Sequence, residues 1–460
     1  MASIDAVLSK IDQNLEAAIE RLFAFVKIPS ISTDHAYKGE CQRAADWAAA
    51  QLNEIGFTAS VRPTTGHPMV VGTAKAGRPD VPHVLFYGHY DVQPADPLEL
   101  WDTPPFEPRI AEGPNGRQLV GRGTADDKGQ LMTFIEACRA FKETGGLPCN
   151  VTVLLEGEEE SGSPSLPAFL DENAKELRCD VALVCDTLMW DERTPAITTM
   201  LRGLVGEEVI VKAANRDLHS GMFGGPAINP IRVLGKIIAD LHDDEGKVTI
   251  PDFYDGVDEL PDEIADQWHD LKFDGTKFLG DVGLSVPAGE HGRSVLEMIW
   301  SRPTCEINGV TGGYTGEGMK TVLPAQASAK FSFRLVSKQD PKAIVASFRE
   351  FVKARLPEDC EAEFIPHGAS PAITLPFHSE ALTRARRALQ AEWDAETVMA
   401  GCGGSIPIVG AFKSALKMDS LMIGFSLESD RIHSPNEKYE LTSFHKGARS
   451  WARVLNALSS

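Results

Sequence analysis

The chain has no CxxC cysteine pair, no long uncharged apolar run and no surplus of positive charge, and each absence removes a class of function. Its eight cysteines are scattered, several in apolar runs such as "VALVCD", where a thiol behaves as a small hydrophobe. A disulfide framework and a thiolate zinc site are therefore not expected. No stretch is long and charge-free enough to cross a bilayer. The net charge of −21 repels phosphate backbones and anionic lipids, so neither nucleic acid nor membrane is expected as a partner. Short-period repeats and low-complexity tracts are also missing. The opening, "MASIDAVLSKIDQNLEAAIERLFAFVKIPS", carries Asp5, Lys10 and Asp12 where a signal peptide needs an unbroken apolar core, and shows helical periodicity through Leu15, Ile19, Leu22 and Phe23. It reads as a cytoplasmic start.

What is present is an ordinary soluble composition, 43% apolar and 24% charged, over 460 residues. That length exceeds one hydrophobic core and predicts two domains. Up to about residue 200, helices alternate with the nearly all-apolar strands "HVLFYGHYDV", "NVTVLLEG" and "DVALVCD". Strands of that kind are covered on both faces, which predicts an α/β domain with a largely parallel sheet covered by helices. A helix from near Asp127 buries Leu131, Phe134, Ile135, Cys138 and Phe141 at three- and four-residue spacing. After "LRG" the pattern becomes two strand-helix-strand halves, "EEVIVKAA" to "CEINGV" and "ASAKFSFRLV" to "AEFIPH", the first of which contains an irregular acidic stretch at 245–290 before "CEINGV". This predicts an inserted α+β sandwich at 204–379, with 1–203 and 380–460 forming the first domain.

Three of the predicted strands end in acids or histidine: His89, the run Glu158 to Glu160, and Asp186. The carboxyl edge of an open α/β sheet is where ligands bind. To these the chain adds Asp126, Asp127 and Lys128 in "GRGTADDKG" and His433 in "DRIHSPNEKY". Each piece alone has an ordinary reading: a satisfied histidine, a solvated acidic loop, a turn aspartate. The glycines of "GRGTAD" do not complete a dinucleotide fingerprint. Together, two histidines and several carboxylates on one sheet edge make a ligand set suited to zinc, manganese or cobalt. Glu158 reads as a surface residue.

The segments "YGHYDVQP", "GRGTADDKG", "EGEEESGS", "VCDT", "DLHSG", "GGSIP" and "HSPNEKY" resemble, in order, the motifs of the dinuclear metallopeptidases that include carnosinase, cytosolic nonspecific dipeptidase, aminoacylase and carboxypeptidase G. The wording is most similar to the dipeptidase branch. The resemblance implies two divalent ions per chain, zinc or manganese or else cobalt, with His89 and Asp186 on one, Glu160 and His433 on the other, and Asp126 bridging. It implies that Asp91 hydrogen-bonds the far nitrogen of His89, that Glu159 is the general base acting on a water between the ions, and that the Asp126–Asp127 peptide is cis. From the inserted lid and dimerisation domain it implies that His219 polarises the scissile carbonyl, reaching over from a partner in a homodimer, and that Arg334 clamps the substrate carboxylate, with Ser405 of "GCGGSIPIV" adding a hydroxyl. A strand arginine facing water is the plainer reading of Arg334, which alternates with Phe331 and Phe333. The expected activity is hydrolysis of dipeptides or short peptides with a free C-terminal carboxylate. N-acyl-amino-acid deacylation on the same site is the alternative, and a metal-binding protein without turnover is the bland one. A free carboxylate at Glu159 beside Glu160 argues against the last, because a purely structural site has no use for it.

Overall fold

The computed structural model describes residues 3–404 and 406–459. The chain divides into two compact units, one of residues 1–199, 375–400 and 411–460, the other of residues 200–374 and 401–410.

In the first unit the strands Thr58–Arg62, Met69–Ala74, Asn150–Glu156, His83–His89, Val181–Val184 and Ser420–Met422 lie side by side in that order. The pairings from Asn150–Glu156 to Ser420–Met422 are parallel, and those at the flanks are antiparallel. The sheet is thus mixed, with a parallel centre. Its central strands are buried along nearly their whole length because helices cover both faces, which is why their sequences lack polar alternation. The helix Lys128–Thr144 is buried at every position from Lys128 to Phe141. It is sandwiched between the sheet and the helices Ile4–Gln13 and Leu441–Leu458. Under the end of strand His83–His89, Phe86 stacks on Phe134 with ring centroids 3.8 Å apart, and the Trp451 ring meets both edge-on at 5.6 Å.

The second unit is built on an antiparallel sheet in the order Thr304–Gly312, Gln326–Leu335, Gly203–Lys212, Glu361–Ser370. Burial alternates along Gly203–Lys212 and Gln326–Leu335, the period-two signature of a sheet with one covered face. That face carries Phe331 and Phe333, which pack on Phe348 of helix Pro341–Lys353, and helix Pro230–Ala239 lies on the same core. Buried Glu207 on the sheet accepts two hydrogen bonds from Arg349, at 2.8 and 3.0 Å, pinning Pro341–Lys353 in place. The stretch expected to be irregular, 245–290, holds the helices Asp262–Asp270 and Gly275–Gly280. Both are short, the first rich in acids and the second bounded by glycines, so they present little of the apolar stripe from which a helix is read.

Because Trp451 locks the strand bearing His89 to the helix behind it, Trp451→Ala should cost about 3–5 kcal/mol, the usual range for deleting a large buried aromatic. Urea unfolding of variant and wild type measures this, and a loss below about 1 kcal/mol would show that the three-ring cluster collapses without strain.

Candidate active site

All four parallel strands point their carboxyl ends to one edge of the sheet. His89 is the last residue of its strand and lies in register with Glu156. The neighbouring strand stops at Glu156 and the chain turns at Gly157, where a Cβ would sit 2.1 Å from the Tyr90 hydroxyl oxygen. The single turn Glu159–Ser161 follows, placing two consecutive carboxylates at the edge. Asp126 is joined by a cis peptide to Asp127, which precedes the helix Lys128–Thr144, and His433 is held in the left-handed region at φ 60°.

Asp126 is where these segments meet. One of its oxygens lies 3.0 Å from His89 Nε2 and the other 3.0 Å from His433 Nε2. His433 Nε2 is also 3.2 Å from Glu160 Oε2. Two groups of potential ligand atoms result, His89 with Asp126 and Asp186, and Asp126 with Glu160 and His433, the atoms of each within 4.8 Å of one another. Asp91 faces both halves: Oδ1 is 3.4 Å from His89 Nδ1, and Oδ2 accepts the Glu160 amide at 3.0 Å. The hydrogen bond at His89 Nδ1 goes to the Asp91 backbone carbonyl, at 3.2 Å, while Asp91 Oδ1 stands beside it as a charged neighbour.

Crowding of carboxylates sets the protonation states. Burial works against ionising Asp126, yet bonds from both histidines outweigh it and hold the carboxyl well below its usual range. Burial would likewise lower His89, but its contacts with Asp126 and Asp91 raise it well above an ordinary imidazole. Hydrogen bonds to Asp126 and Glu160 push His433 up to about 10. Burial, then the nearby Asp126 and Asp127 charges, raise Asp186 well above an ordinary carboxyl, and burial raises Glu159 and takes Asp127 to about 7. In the ion-free protein, protons on imidazoles supply the compensation that cations would supply. A metal fits this donor set: neutral imidazoles and carboxylates are its ligand types, and buried Glu160 Oε1 has no hydrogen-bond partner among the described residues.

Glu158 is not a surface residue. It is buried, and its carboxylate accepts the amides of His67 at 2.8 Å and Ser165 at 3.0 Å, filling a space that Gly66 leaves open: a Cβ there would lie 1.4 Å from Oε1. An acidic run carries no sign of which member turns inward. Sequence reading also assigned nothing to Asp127, which accepts the His89 amide at 3.1 Å, or to Lys128, whose buried ammonium donates to the carbonyls of Phe25 and Ile28. In the second unit, exposed His219 caps the short helix Ser220–Phe223 by accepting the Gly221 amide, and half-buried Arg334 lies opposite Leu204 and Thr304. Ser405 lies outside the described residues.

Residues 85–457 match the sequence pattern of peptidase family M20/M25/M40. The chain belongs to that family. It is accordingly a hydrolytic peptidase. Over 99% of this chain and 98% of the relative, it is 30% identical to the Cys-Gly metallodipeptidase DUG1 of Saccharomyces cerevisiae. It is 28% identical to the Beta-Ala-His dipeptidase of Homo sapiens, over 98% of this chain and 92% of that one. The solved structure of the di-peptidase Dug1p from Saccharomyces cerevisiae superposes with a TM-score of 0.75 at 28% identity, covering 100% of this chain and 99% of that one. The described residues contain no helix long and apolar enough to cross a membrane.

The raised pKa of His433 has a measurable sign. Its hydrogen bonds contribute stability that is fully present below 6.5 and lost as pH rises through about 10. In an NMR titration of the ion-free protein, the His433 ring signal should hold its protonated position through neutrality; a midpoint at the ordinary 6.5 would contradict the contacts with Asp126 and Glu160.

Proposed function

We propose that this peptidase hydrolyses dipeptides and short peptides bearing a free C-terminal carboxylate, at a pair of divalent ions, zinc or manganese. The observation that carries the reading is Asp126, whose two oxygens serve two histidines from separate segments and so belong to both candidate ligand groups. His89 and Asp186 would hold one ion, Glu160 and His433 the other, with Asp126 shared. Relatives named as dipeptidases support the substrate class. When bound, such an ion pair supplies Lewis acidity to the scissile carbonyl and to the attacking water.

The chain's own residues do the rest. Glu159 takes the proton from the water and passes it to the leaving amine, while its neighbour Glu160 serves as ligand. Asp91 fixes the His89 ring and the Glu160 amide, which keeps the two halves in register. Arg334 clamps the substrate carboxylate through its guanidinium fork, with the Ser405 hydroxyl as second donor. His219 donates to the carbonyl oxygen as it becomes negative, and does so across a homodimer formed through the second unit. We place the protein in the cytoplasm; its cysteines form no disulfide among the described residues, which suits a reducing compartment.

Chelation should abolish turnover of Cys-Gly and β-Ala-His, and zinc or manganese should restore it. A panel of dipeptides against N-acetyl and N-succinyl amino acids tests the class: preference for the acyl amides would favour deacylation instead. Because His89 and His433 must be neutral and Asp186 ionised to ligate, loading the ion-free protein at neutral pH should release protons from both imidazoles and from the raised Asp186 carboxyl, read by calorimetry in buffers of different ionisation enthalpy.

Glu159→Gln should lower kcat by roughly 10²- to 10⁴-fold with metal still bound. Near-normal turnover would remove Glu159 as the base, and loss of metal would mean that Glu159 and Glu160 have been exchanged.

A further inference from the structure

The loop that carries Asp126 is shaped by a carboxylate to which the reaction assigns no task. Glu437 is completely buried. Its Oε1 accepts hydrogen bonds from the amides of Ala125 at 2.9 Å and Asp126 at 3.1 Å; its Oε2 accepts from the amide of Gly123 at 2.9 Å and from Arg122 Nη1 at 2.7 Å. The contact continues along the main chain, where the Gly121 amide donates to the Glu437 carbonyl at 3.0 Å and strand Lys438–Glu440 pairs with strand Gly116–Val120.

Three amides converging on one carboxylate form the concave backbone arrangement that binds phosphates and other anions elsewhere. Here a side chain of the same protein fills it. Arg122, itself buried, compensates the charge, without which burying the carboxylate would be costly.

We propose that Glu437 is a positioning residue for the metal pair: by filling the concavity of residues 123–126 it sets where the Asp126 carboxylate stands relative to His433, four residues upstream of Glu437 itself. The inference rests on the reading of Asp126 and His433 as ligands. One amide in the clamp is that of Asp126, so the clamp fixes the backbone from which the shared carboxylate projects. Since Asp126 belongs to both ligand groups, displacing it weakens both ions. A carboxamide cannot replace Glu437, because its NH2 end would face two of the four donors and leave them unpaired.

The test is zinc titration of ion-free protein by calorimetry, for wild type, Glu437→Gln, Glu437→Asp and Glu440→Gln, with circular dichroism and thermal unfolding to establish that each is folded. Glu440 is the matched control: also buried and in the same segment, it bonds Lys438 and Gln118 but no part of the Asp126 loop. Glu437→Gln should weaken both ions by about 10- to 100-fold, the usual effect of removing a residue that orients a metal ligand. Glu437→Asp, which keeps the charge but withdraws it by one methylene, should lose less, and Glu440→Gln should bind both ions as wild type does. Wild-type affinity in folded Glu437→Gln overturns the proposal, as does an equal loss in Glu440→Gln. If Glu437→Gln does not fold, wild-type affinity in Glu437→Asp overturns it. Failure of the wild type to bind two ions is a different result: it removes the metal reading, and this inference with it.

Discussion

Everything at the site depends on how one edge of a sheet tolerates its own negative charge. Asp91, Asp126, Asp127, Glu156, Glu159, Glu160 and Asp186 crowd the ends of three parallel strands, and two like charges about 4 Å apart cost about 4 kcal/mol at the dielectric of a protein surface. The ion-free protein responds by moving protons. His89 and His433 hold theirs, Asp127 and Glu156 rise to about 7, and Asp126 alone is driven strongly towards ionisation, because both imidazoles face it. A site in this condition has a standing demand for divalent cations. The same crowding explains why so many nearby groups are held by main-chain amides, which donate hydrogen bonds without adding charge.

The scaffold meets that demand by division of labour. Every residue in the two candidate ligand groups belongs to the first unit, where parallel strands end together and Asp126 and Asp127 lead into a helix that is buried from Lys128 to Phe141. Rigidity there is a chemical requirement, since side chains that must converge from separate segments allow little misplacement. The second unit is built differently, on a four-stranded sheet that carries Arg334 and a separate two-stranded pair that carries His219.

Much of this was legible in the sequence. The strand ending at His89, the helix after Asp127 and the strands and helices of the second unit all follow from apolar runs and their periods, because burial on one face or two leaves a direct imprint on residue order. The candidate ligands were legible for another reason: histidine and carboxylate at the end of an apolar strand are costly unless something compensates them. The two units meet the chain at 199/200 and 374/375, and residues 401–410 group with the second, a division by compactness that composition does not mark.

What the sequence by itself determined is therefore the identity of the chemical groups and the elements that carry them. Only the tertiary structure decided which acids turn inward and what each one holds. Glu158, Glu159 and Glu160 are the same residue in one short run, yet the first accepts buried amides, the second stands beside the cluster and the third reaches His433. Glu437, inside a quoted motif, had no discernible task until its four donors were seen to come from residues 122–126, more than three hundred positions away. The physical reason is common to both. A carboxylate's role is set by the donors and charges packed around it, and those arrive from distant parts of the chain only when the fold closes.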